Sequence, residues 1–195
     1  MNWIKKITLT ALGVALSIAV FAQTTWKSDP SHSKLTFATT HLGISDIAGL
    51  FKTFDAHVTA NNADFSDGVF ELSVDVKSIN TEVEMRDNHL RSEDFFHVNE
   101  FPAMTYRSTA IQKTGTDKYR LVGDLTLHGV TKEVVMDLWY RGTIENPQSK
   151  AVTAGFQLTG TLKRSDFNVG PKFPNAMISD EVQIRADGEF VKQEG

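Results

Sequence analysis

Phe70-Glu71-Leu72-Ser73-Val74-Asp75-Val76-Lys77 decides the fold. Apolar and polar residues alternate along the whole stretch. An extended chain therefore puts Phe70, Leu72, Val74 and Val76 on one face and Glu71, Ser73, Asp75 and Lys77 on the other. A helix would scatter the same apolar side chains around its surface, so the stretch reads as a half-buried strand.

The same period runs outward in both directions. Leu35 and Phe37 alternate with Lys34 and Thr36, and Phe54, Ala56 and Val58 alternate with Asp55, His57 and Thr59. Met104/Tyr106, Tyr119/Leu121/Leu125/Leu127 and Val134/Met136/Leu138/Tyr140 continue the pattern. Val152/Ala154/Phe156/Leu158 and Val182/Ile184/Ala186 complete it. Turn chemistry separates the runs at Ser66-Asp67-Gly68, Thr114-Gly115-Thr116-Asp117, His128-Gly129 and Glu145-Asn146-Pro147. Short turns between consecutive strands make antiparallel neighbours. About eight such strands, with no regular helical crossovers, predict an all-β sandwich or a closed barrel, and closure removes exposed strand edges.

Two stretches break the alternation with helical spacing, near Gly43–Ala48 and over Thr81–Arg91, and both are expected at the barrel ends. Thr81-Glu82-Val83-Glu84 has the form of a capping box, in which Thr81 and Glu84 would cap reciprocally. The segment that follows, Arg86–Pro102, carries polar groups and then Phe95, Phe96 and Phe101. An aromatic-rich helical insertion in a β protein suggests a lid over a ligand pocket.

The chain has 195 residues, no cysteine and a formal charge of −4. Lys5-Lys6 followed by an apolar run from Ile7 to Phe21, with small residues around Ala22, reads as a secretory signal over 1–22. The run is short for a membrane span, which needs about 20 apolar residues. One domain is then expected over 23–195. It would be large enough for a core without disulfides, and more acidic than the whole chain once the two lysines are gone. Scattered net negative charge argues against nucleic acid and against anionic membrane surfaces.

Several blocks, in order, resemble the YceI-like family. They are Trp26-Lys27-Ser28-Asp29-Pro30-Ser31-His32-Ser33, Gly49-Leu50-Phe51 with Phe54, and Val74-Asp75-Val76-Lys77-Ser78-Ile79-Asn80-Thr81. Arg86–Pro102, Gly123-Asp124-Leu125-Thr126-Leu127-His128-Gly129-Val130-Thr131-Lys132 and Arg164-Ser165-Asp166-Phe167 follow. One departure is Asn168, where many members carry glycine. The resemblance implies an antiparallel lipocalin-like β-barrel of exported polyisoprenoid-binding proteins. It also implies non-covalent capture of a long apolar chain, such as an isoprenoid or a fatty amide, with no established catalysis or cofactor.

The candidate binding residues follow from that reading. Among 13 phenylalanines, Phe37, Phe51, Phe54, Phe95, Phe96, Phe101 and Phe167, with Leu90 and Trp139, are candidates to wall an apolar tube. His41, Arg86 and His89 are candidates for a polar head group, although Arg86 beside Asp87 also suits a structural contact. Burying each methylene yields about 0.8 kcal/mol, so length supplies affinity and a few polar groups supply discrimination. His41 or His89 as a general base on a lipid, making a hydrolase or isomerase, is a second reading. A filled barrel that binds a partner protein is a third, and a homodimer is compatible with a carrier. No His-Glu-x-x-His, Gly-x-Ser-x-Gly or phosphate loop occurs. No metal site is expected; a zinc shared by His89 and His97, eight residues apart, is the alternative.

Overall fold

The computed structural model describes residues 23–194, so the expected signal segment lies outside the described residues. Eleven strands are described: β1 (Thr24–Ser28), β2 (Lys34–His41), β3 (Ser45–Phe51), β4 (Phe54–Ala60), β5 (Val69–Asp75) and β6 (Ile79–Asn80). They continue with β7 (Ala103–Gly115), β8 (Lys118–Leu127), β9 (Val130–Glu145), β10 (Val152–Lys163) and β11 (Ile178–Lys192). One α-helix, α1 (Glu84–Arg91), stands between β6 and β7.

All pairings are antiparallel, and three strands are interrupted. β1 and β2 both pair with β11, while β1 takes β4 and β2 takes β3 on the other side. β3 with β4, and β5 with β6, are likewise halves of two broken strands. Counted this way, eight strands follow in chain order, and the last returns to the first. β11 sets Phe190–Lys192 against β1 and residues 178–187 against β2, which closes the ring. The expected barrel of about eight strands is the observed architecture.

The breaks have local causes. Between β1 and β2, the Asp29 carboxylate accepts from the Ser31 backbone N–H at 2.9 Å and meets His32 Nδ1 at 2.7 Å. Val76 was expected to end a strand. It begins a 3₁₀ turn (Val76–Ser78) instead, because Asp75 caps the Lys77 N–H at 3.0 Å; Val76 stays buried. The helical turn expected near Gly43–Ala48 is a hairpin. Leu42 and Gly43 both take positive φ, 52° and 68°, which folds the chain straight back and lays Ser45 opposite His41.

The connections divide between two ends. One end holds residues 61–68, 116–117 and 146–151, and it is closed by rings. Phe65 is buried against Trp26 (5.2 Å between centroids), Tyr140 (5.1 Å) and Phe156 (4.8 Å), with Phe70 and Phe190 packed on Phe156. The Tyr119 hydroxyl donates to the Asp64 carbonyl at 2.7 Å and fastens that loop.

The other end carries α1. The capping box does not form: Val83 is the N-cap and offers no side-chain bond. Thr81 is engaged elsewhere. Its N–H and hydroxyl donate to Asp87 Oδ1 at 2.8 and 2.5 Å, while Arg86 donates to the Thr81 hydroxyl oxygen (2.7 Å) and carbonyl (2.8 Å). Arg86 and Asp87 thus converge on Thr81, as a structural contact would. Arg91 adds bonds to the Lys77 and Ile79 carbonyls, both 2.8 Å, so polar contacts fix the helix to the strand it follows.

Asp87 is buried, and its removal strands two buried donors on Thr81. Asp87→Ala is expected to lower stability by about 2–4 kcal/mol in urea denaturation, with Asp87→Asn costing less.

Candidate functional site

The inward faces of the strands leave an apolar lumen. Its volume is about 230 Å³, against the ~10–15 Å³ that one water needs. Leu35, Leu72, Met104, Leu125, Met136, Leu158 and Ile184 form its middle belt. Phe70, Phe156 and Phe190 floor it toward the ring-closed end, and Leu90, Phe95, Phe96 and Phe167 roof it toward α1. Large residues set side by side on eight strands leave the axis unfilled, because few are long enough to reach across.

Of the twelve residues nominated from sequence, Phe37, Phe51, Phe54, Leu90, Phe95, Phe96 and Phe167 line this space. Five stand elsewhere. His41 ends β2 at the exposed rim, and Arg86 is committed to Thr81. His89 lies outside the lumen, with Nε2 3.3 Å from Asp94 Oδ2 and its ring edge-on to Phe95 and Phe173. Phe101 packs under the β8–β9 turn, 4.7 Å from the His128 ring and against Gly129. Trp139 sits between inward Leu138 and Tyr140 on β9, so it faces out, 41% exposed, with the Arg141 guanidinium 4.5 Å above its ring.

The sequence reading nominated loop aromatics and passed over most of the wall. Leu72, Met104, Tyr106, Leu125, Met136 and Leu158 were legible as inward positions from alternation alone. Neither histidine proposed as a base reaches the lumen. His89 and His97 also face separate carboxylates, Asp94 for the first and Glu93 and Glu100 for the second. Among the described residues, Asp29, His32 and Glu189 are the one group of three metal-capable side chains close together, on the outer wall at the β1–β2 break. The hydrogen bond from His32 holds the Asp29 carboxyl below its usual range, and the same bond raises His32.

Two loops clasp to roof the lumen. Arg164 is buried and donates to the carbonyls of Val169, Gly170, Phe173, Ile178 and Ser179 and to Asn175 Oδ1, at 2.6–3.2 Å, which winds residues 165–178 around one guanidinium. Asn168 takes φ 55° after the 3₁₀ turn Arg164–Phe167. Asparagine tolerates that left-handed position better than most other side chains. From this loop Phe173 stacks on Phe95, 4.6 Å between centroids and 15° apart, and Lys172 bonds Asp94 at 2.5 Å. Gly170 lets the Phe95 ring lie flat, since a Cβ there would stand 2.8 Å from it.

Tyr106 stands on this wall. The Tyr106 hydroxyl is, among the described residues, the only buried side-chain nitrogen or oxygen without a hydrogen-bond partner. Burial, and secondarily the charge of Asp124, pushes its ionisation well above the ordinary phenol range, so it remains an O–H donor. Such a group left unpaired costs about 1–3 kcal/mol.

The sequence pattern of the YceI-like domain matches residues 26–190. A UPF0312 protein of Staphylococcus aureus is 34% identical over 171 residues, covering 86% of this chain and 97% of the relative. Among solved structures, the Campylobacter jejuni YceI protein superposes with a TM-score of 0.72 at 27% identity, over 98% of this chain and 100% of that one. Burkholderia cenocepacia BcnA gives 0.73 at 27%, over 83% and 98%. A polyisoprenoid binding domain from Saccharophagus degradans gives 0.66 at 15%, over 88% and 100%, and at that identity it speaks to the fold alone.

Two outcomes test the roof. Arg164→Met is expected to raise amide exchange across residues 165–178 by at least tenfold while the strands stay protected. Lys172 first, and His89 second, hold the Asp94 carboxyl below its ordinary value of 3.8. Because the folded value is the lower one, the contribution of this clasp is full above 3.8 and fades as pH falls through the folded value. Asp94→Asn should therefore loosen the roof at neutral pH, and its proteolysis rate should converge with that of the parent in strong acid.

Proposed function

The chain belongs to the YceI-like family, and from that premise we propose that it is an exported carrier or sequestering protein for a long-chain amphiphile. A polyisoprenoid, an isoprenoid quinone or a fatty amide is the cargo class. The observation that carries this reading is the lumen of about 230 Å³, walled mainly by apolar side chains and roofed by two clasped loops. Each methylene moved there from water contributes about 0.8 kcal/mol, so a tail of several isoprene units binds by length. The fold shared with a polyisoprenoid binding domain is compatible with such cargo.

Binding is passive in this reading. The tail occupies the lumen, and opening of the Arg86–Phe101 segment against residues 165–178 controls exchange. The placement of His41 and His89 outside the lumen favours carriage over hydrolysis or isomerisation. Export rests on Lys5-Lys6 and the apolar run after them, and cleavage near Ala22 is checked by the N-terminus of protein recovered from a bacterial envelope. A homodimer would meet at the rim beside the roof, where Leu42, Ile44, Met85 and Met177 are exposed; sedimentation tests it.

Native mass spectrometry of the protein produced with its leader, followed by solvent extraction, is expected to show a discrete lipid adduct. Phe96→Asp should abolish the adduct while the β-rich circular dichroism persists. A folded variant that retains the adduct would remove Phe96 from the site, and a parent that stays lipid-free in the presence of such lipids would end the carrier reading.

A further inference from the structure

The Tyr106 hydroxyl is a buried donor on a mainly apolar wall, with no hydrogen-bond partner among the described residues. Its ring projects from β7 onto Gly123 of β8. A Cβ at Gly123 would stand 2.6 Å from both the ring Cζ and the hydroxyl oxygen. The missing side chain there makes the notch in which the hydroxyl end lies. Nearby polar atoms are already engaged: the Ser108 hydroxyl oxygen, opposite Gly123, accepts from the Phe70 backbone N–H at 2.9 Å. Phenylalanine would pack the same notch without stranding a donor, so packing alone does not account for the oxygen.

We propose that Tyr106 is a specificity-determining residue that donates a hydrogen bond to an uncharged carbonyl oxygen carried within the chain of the bound amphiphile. The inference rests on the carrier reading and deepens it. It selects a ketone, quinone or amide carbonyl over a plain hydrocarbon. It also disfavours a phosphate beside this hydroxyl, because an anion there would be buried among apolar side chains within reach of the Asp124 charge. The ring lifts off Gly123 toward the lumen it borders to reach the ligand, and the adjacent cavity gives it room. The neutral phenol, kept protonated by burial, supplies the proton side of the bond.

The test compares heptadecan-9-one with n-heptadecane as probes, in the parent protein and in Tyr106→Phe. The expected result is that Tyr106→Phe binds the ketone about tenfold more weakly while its affinity for the alkane is unchanged. The infrared carbonyl stretch of the bound ketone should lie at lower frequency in the parent and return to its apolar-solvent position in the variant. Equal loss for both probes would make Tyr106 a packing residue, and no loss for either, with no carbonyl shift, would also overturn the inference while leaving the carrier reading intact. If the parent binds neither probe, nor long-chain lipids by mass spectrometry, the carrier reading falls and this inference with it.

Discussion

Everything inside the barrel depends on β11 satisfying two partners at once. Its last residues pair with β1 and its longer first part pairs with β2, so one strand spans the break at Asp29 and joins the end of the chain to its beginning. Without that double pairing, the alternation that buries one face of each strand would face a second sheet or solvent. Closure turns the buried faces toward a common axis, and eight strands set its width.

That width is the source of the cavity. Medium-sized residues such as Leu72, Leu125, Met136 and Leu158 meet at the wall but do not reach across it, whereas the ends are filled by rings. The two ends are closed by different physics. Phe65 and its neighbours close one with edge-to-face aromatics and a loop tied down by Tyr119. The other is held by polar contacts to Thr81, Arg164 and Asp94 with rings laid over the lumen. Apolar closure is part of the core, whereas the polar clasp joins two loops.

Period-two alternation made the barrel legible, since Phe70–Lys77 and its counterparts state which residues face inward. The same rule already placed Trp139 outside, between Leu138 and Tyr140, and it already named the lumen wall that a focus on loop phenylalanines passed over. Local signals were less dependable where a distant group competed for the same atoms. The Thr81–Glu84 capping box lost Thr81 to Asp87 and Arg86, a competition that the capping-box spacing does not encode. Gly43–Ala48 had helical spacing, but consecutive positive φ values at Leu42 and Gly43 fold it into a hairpin. The role of Arg164 could not be read in advance, because five of its six acceptors are backbone carbonyls, which carry no residue identity.

The contrast between the two ends has a consequence for traffic. At the ring-closed end the strands pair all the way around, and that end, sealed by interlocked rings, is part of the folded core. A molecule held in such a tube enters and leaves through one door, and the end that went in first comes out last. In the carrier reading, donor and acceptor would therefore visit the same face of the protein in turn, and the cargo would meet the second led by the end that left the first last.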